Sequence, residues 1–153
     1  MLRQLVLGGA IVLATAFSAQ AQRIVDGSNV DEVVKIARGY GTAELEPQSS
    51  GDPQIKGEIE GVTYYVTFLN CTENTNCEDV NFYAGFSLKP ALDVINGWNR
   101  DKRFGKAYLD SELDAVVEFD VNLEHGVTQE NLNAAFEIWT LILDQYTTYI
   151  GFK

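Results

Sequence analysis

Histidine occurs once in this 153-residue chain and cysteine twice, and cationic side chains are outnumbered two to one, 11 Lys and Arg against 22 Asp and Glu. Each shortage removes a class of chemistry. One histidine cannot make a His-x-x-x-His metal pair. A catalytic histidine also needs a nucleophile or carboxylate held beside it, and His125 sits in the turn Glu124-His125-Gly126, where an exposed polar residue is ordinary. Neither a Gly-rich phosphate loop nor a Gly-x-Ser-x-Gly elbow occurs. A formal charge of −11 repels phosphate, which argues against nucleic acid and anionic membrane surfaces as partners. After residue 21 no apolar run approaches the roughly 20 residues that a membrane-spanning helix needs. No internal repeat, low-complexity tract or domain linker is found.

What is present begins with MLRQLVLGGAIVLATAFSAQAQ. Arg3 gives a positive start, Leu5 to Phe17 an apolar run, and Ala19-Gln20-Ala21 a small-residue cleavage site, the pattern of a secretory signal peptide over residues 1–21. The Ala-x-Ala ending favours a cleaved leader over a retained anchor. The expectation is a periplasmic or secreted protein, free of the membrane once cleaved, with one domain over residues 22–153. Cys71 and Cys77 would then meet an oxidising compartment and bracket the polar loop TENTN. They read as a disulfide. A metal or redox pair would want a second Cys or His cluster, or Cys-x-x-Cys spacing.

Hydrophobic period sets the order of elements. Gln22 to Gly27 reads as a loose lead-in, and Ser28 as the cap of a helix over NVDEVVKIAR. A strand at TAELE and a turn cluster at PQSSGDP follow. QIKGEIE and VTYYVTFL then alternate with period two around the tight Glu60-Gly61 connection, which makes a hairpin. VNFYAGF alternates again, so the cysteine loop should lie between adjacent strands. Pro90 opens a second helix over PALDVINGWN. KAYL gives a short strand, and Ala115 to Leu123 a long one with Ala115, Val117, Phe119, Val121 and Leu123 inward. Thr128 caps a last helix whose stripe is Leu132, Phe136, Trp139, Leu143, Tyr146 and Ile150. The fold class is α+β, an antiparallel sheet with helices packed on it in the order α-β-β-β-β-α-β-β-α.

Against this acidic background, NGWNRDKRFGKAYLD gathers Arg100, Lys102, Arg103 and Lys106 around Trp98, Phe104 and Tyr108. Arg100 and Arg103 could fork a carboxylate, with Trp98 and Phe104 as apolar walls. The same residues also suit a corner, with Trp98 in the core four residues after Val94 and the arginines paired to Asp101, Asp110 or Glu118. The stretch reads first as a corner and second as a binding site of Trp98, Asn99, Arg100, Arg103 and Phe104. DSELD is a charged hairpin turn and not a calcium loop, since Ala115 stands where an EF-hand needs Gly and Val121 where it needs Glu. No metal ligand set, catalytic set or cofactor is expected.

NCTENTNCEDVNFYAGF, NGWNRDKRFGKAYLD and GVTQENLNAAFEIW resemble the YbjN-like family of bacterial sensory transduction regulators, from about Ser28 to Tyr149. WNR…RFGKAYLD is the most specific part. The resemblance implies an α+β fold similar to type III secretion chaperones and a non-enzymatic regulator. By analogy with such folds, it implies a protein or peptide partner and a homodimer. The other reading is a small-ligand or envelope-signal sensor with its cleft at Trp98, Arg100 and Arg103.

Overall fold

The computed structural model describes residues 22–153, so the leader expected over residues 1–21 lies outside the described residues. The elements are β1 (Ile24–Val25), α1 (Val30–Ala37), β2 (Thr42–Pro47), β3 (Pro53–Ile59), β4 (Val62–Leu69), β5 (Asp79–Phe86), α2 (Leu92–Asp101), β6 (Lys106–Leu109), β7 (Ala115–Asn122), β8 (Val127–Thr128) and α3 (Gln129–Tyr149). This is the expected α+β order with two short strands added. The main sheet has the order β2-β3-β4-β5-β7-β6, antiparallel throughout.

Alternation places the core. In β4, Val62, Tyr64, Val66 and Phe68 point inward and are buried, and in β5 so do Val80, Phe82, Ala84 and Phe86. The register Val66↔Phe82 and Phe82↔Phe119 carries this apolar face across the sheet centre. Helix α3 lies on it. Its Phe136 meets Phe82 edge-on at 4.9 Å between ring centroids, and Trp139 lies 5.6 Å from the same ring. Tyr146 crosses the end of the sheet and donates its hydroxyl to the Val116 carbonyl at 3.0 Å. Thr128 caps α3 as expected, its Oγ1 accepting from the Asn131 N–H.

Several local readings are corrected. The N-terminal lead-in is not loose: Ile24 and Val25 pair with Thr128 and Val127, and Val25 is fully buried. Ser28 does not cap α1. Its backbone N–H and hydroxyl both donate to Asp26, and Asn29 is the cap residue, its side chain accepting the Asp26 N–H and making no capping bond to the helix. Helix α2 starts and ends two residues later than expected, after an extended Ala91. Val116 is buried although it points to the face away from the helices. Its strand neighbours are Gly85 and Tyr108, and Tyr83 folds its hydroxyl end over Gly85. The missing side chain at Gly85 lets the Tyr83 ring lie across the strand beside Val116, with Tyr108 on its other side.

Cys71 and Cys77 form a disulfide in the β4–β5 connection. Inside it, Thr72 and Thr75 exchange backbone hydrogen bonds around Glu73 and Asn74, both at positive φ, as a tight two-residue hairpin requires. The loop also holds the N-terminal segment, because Cys77 N–H donates to the Gly27 carbonyl at 3.3 Å. A Cβ on Gly27 would stand 1.7 Å from the Cys77 oxygen, so only glycine permits this approach. No helix among the described residues is long and apolar enough to cross a membrane.

Candidate functional site

The corner between α2 and β6 is built from the aromatic side chains of its own sequence. Ile95 and Trp98, three apart, turn into the core, while Val94 is only half-buried. Trp98 is 1% exposed and is fixed on three sides. Its indole N–H donates to the Gly105 carbonyl at 2.9 Å, Tyr146 meets it edge-on at 4.9 Å, and Tyr149 at 5.5 Å. Gly105 has φ +79°, and a Cβ there would press on Ile142 and Val117 at 3.1 Å. Phe104 follows the turn to pack edge-on against Phe119 at 6.4 Å.

Asn99 closes the edge of the sheet. Its side-chain amide donates to the Ala107 carbonyl at 2.9 Å and its Oδ1 accepts the Ala107 N–H at 2.9 Å. One side chain thus satisfies both backbone groups that β6 would otherwise leave open at that residue. At the opposite edge, the Arg38 Nε–H similarly donates to the Ala43 carbonyl of β2 at 3.0 Å.

The two arginines separate. Arg100 lies on α2 with a side chain 73% exposed, and it grips the neighbouring Asp101 through Nε and Nη2 at 2.7 and 2.8 Å. That hydrogen-bonded contact raises the Arg100 pKa and lowers that of Asp101. Lys102 then leaves helical geometry with an extended backbone, so Arg103 sits on a different side of the corner, its guanidinium 5.2 Å from the centre of the Phe104 ring. Lys106, by contrast, is held by Glu118 at 2.6 Å, and Glu118 also accepts the Tyr108 hydroxyl at 2.6 Å. Their hydrogen bond raises the Lys106 pKa. Burial, then the bond to Glu118, pushes Tyr108 up.

Between the corner and α3 lies a cleft of about 190 Å³ lined by Trp98, Lys102, Arg103, Phe104, Leu141, Ile142 and Gln145. Of the five residues read from the sequence as a site, Trp98, Arg103 and Phe104 line it, and Asn99 and Arg100 do not. Lys102 replaces Arg100 as the second cation, with Nζ 5.7 Å from the Trp98 ring and 3.3 Å from the Gln145 amide oxygen. Neither Lys102 nor Arg103 forms an ion pair among the described residues. Leu141 forms an apolar rim at 48% exposure. Sequence reasoning missed Lys102 because the cleft needs the break at the end of α2, and it missed Leu141 and Gln145 because they lie some forty residues on. The available signal was Leu141 itself, a leucine off the buried stripe of α3.

His125 is exposed in the turn after β7. Asp110, Glu112 and Asp114 form a hairpin turn in which Asp110 Oδ1 accepts the N–H groups of Glu112 and Asp114, both at 2.9 Å. No group of three or more His, Cys, Asp or Glu side chains among the described residues is arranged to hold a metal ion.

The family model of YbjN, described as "Putative bacterial sensory transduction regulator", matches residues 29–152. The chain belongs to this family. No curated protein matches it.

Proposed function

We propose that this YbjN-family member is an exported regulator, periplasmic or secreted and without enzymatic activity, that acts by binding a protein or peptide partner at the cleft between α2, β6 and α3. One observation carries the reading. In a chain with twice as many acids as cations, Lys102 and Arg103 stand without carboxylate partners among the described residues, beside the apolar surface of Phe104 and exposed Leu141. Six of the ten cations among the described residues are held in ion pairs, as Lys106 is by Glu118, and of the others Lys102 and Arg103 alone stand side by side on an apolar cleft, where they can meet an outside carboxylate. Export is supported by the leader pattern of residues 1–21 and by the Cys71–Cys77 disulfide. A sheet with helices on one face is compatible with the secretion-chaperone resemblance, an argument by analogy alone.

A free small ligand fits less well. The cleft, at 190 Å³, is below the roughly 300 Å³ at which drug-sized ligand pockets begin. Arg100 is committed to Asp101. A single side chain of a larger partner suits the volume.

The test is affinity capture from envelope extracts with wild type and with the double variant Lys102→Glu, Arg103→Glu. The expected result is a partner enriched by wild type and lost by a variant that melts like wild type. Equal enrichment by both proteins would move binding elsewhere.

A further inference from the structure

The turn joining β6 to β7 has the chemistry that the cleft lacks. Its sequence, Asp110-Ser111-Glu112-Leu113-Asp114, presents a leucine among acids. Leu113 is 59% exposed and has φ +65°, a left-handed conformation that favours glycine or asparagine and that a leucine adopts only when the surroundings impose it. The turn imposes it: Leu113 N–H donates to the Asp110 carbonyl at 3.0 Å, and Asp110 N–H to the Asp114 carbonyl at 3.0 Å. Lys89 fixes the base through Asp114 at 3.4 Å and the Glu112 carbonyl. Asp110 and Asp114 are thereby engaged, while the Glu112 carboxylate forms no ion pair among the described residues. A strained leucine held out to solvent next to a free carboxylate is a docking knob in search of an apolar hollow with cations on its rim.

We infer that the partner seated in the cleft is a second copy of this chain, with Leu113 of each copy inserted against Phe104 and Leu141 of the other and Glu112 meeting Lys102 and Arg103. This rests on the reading of the cleft as a binding surface and goes beyond it by naming the occupant. Topology makes the arrangement reciprocal. The cleft lies before β6 and the knob after it, so the four residues of that strand, roughly 13 Å long at strand rise, stand between the two halves. Helix α2 packs alongside β6. A two-fold axis across it sets each cleft against the other copy's turn, so that every contact occurs twice. Strand-to-strand pairing is not required, and Asn99 occupies the Ala107 backbone groups that it would need.

Sedimentation velocity over micromolar to sub-millimolar protein tests the pairing, with four proteins purified after export from the full-length gene: wild type, Leu113→Gly, Arg103→Glu, and the combined variant Arg103→Glu with Glu112→Arg. Wild type should show a monomer–dimer equilibrium. Leu113→Gly should weaken it at least roughly tenfold, the effect of losing a central apolar anchor, while melting at or above the wild-type temperature because glycine relieves the backbone strain. Arg103→Glu should weaken it too, and the combined variant should restore it, since the swap recreates an opposite-charge pair. A wild type that stays monomeric throughout overturns the inference, as does a Leu113→Gly protein that associates like wild type or a charge swap that fails to rescue. If wild type is monomeric yet captures an envelope partner through Lys102 and Arg103, self-pairing fails and the proposed function stands. If pairing follows the variants as stated while capture ignores them, the proposed function fails and self-pairing stands.

Discussion

Asn99 and Ala107 form a two-bond clip, with the side-chain amide of one holding both backbone groups of the other at 2.9 Å. This joins the last turn of α2 to the edge strand β6 and makes the corner a rigid platform for the cleft. Asn99→Ala should cost about 1–3 kcal/mol, because a nearly buried N–H and C=O lose their partner together. Asn99→Asp keeps the acceptor and removes the donor, and should fall between the two. Urea unfolding of the three proteins checks the order, and an alanine variant as stable as wild type would refute the clip.

Trp98 and Trp139 should each prove to be core residues. Alanine at either position should destabilise by about 3–5 kcal/mol, the usual cost of emptying a large aromatic site. The two differ in their polar atoms. Trp98 donates to Gly105, whereas the Trp139 indole N–H has no partner among the described residues. Phenylalanine should therefore be tolerated better at 139 than at 98, which denaturation midpoints would resolve.

Gly105→Ala should destabilise by more than about 1 kcal/mol, because alanine is strained at positive φ and its Cβ would press on Ile142 and Val117. The same change at Gly61 makes a control, with positive φ but nothing within 4 Å. The larger loss at 105 measures packing beyond strain. Equal losses would mean that the corner is looser than described.

The acid limb of the stability curve should depend on Asp26. Its carboxylate accepts the Ser28 hydroxyl at 2.6 Å and the Ser28 N–H at 2.9 Å, and these bonds lower its pKa. A carboxylate with a depressed folded pKa contributes stability that is present above its unfolded value, about 3.9, and is lost as pH falls through the folded one. Asp26→Asn should thus melt below wild type at neutral pH, and the gap should close as pH falls below the carboxylate range. A gap that is constant with pH would remove the ionised carboxylate from the account.

Much of the sheet was legible because its strands have one wet face. Val62, Tyr64, Val66 and Phe68 alternate with polar or half-exposed neighbours, and that period survives any tertiary detail. The pairing of β1 with β8 was not legible: two residues carry no period, and their partners lie about a hundred positions away. Alternation leaves Val116 off the inward set of its strand, and its burial could not be read because its neighbours Gly85, Tyr83 and Tyr108 lie on other strands. In the candidate site, the aromatic and cationic character of residues 98–104 was evident. The divergence of Arg100 from Arg103 was not, since it depends on the chain leaving helical geometry at Lys102.

The central claim is that partners dock where α3 meets the α2–β6 corner, and site-specific photocrosslinking measures that contact directly. A photoreactive residue placed at Leu141, on the rim of the cleft, should give a discrete crosslinked product in the cell envelope. The same residue at Glu58, exposed on the sheet face away from the helices, should give none. The Leu141 product should disappear when Lys102 and Arg103 are both changed to glutamate. A product from Glu58 and none from Leu141 would contradict the account.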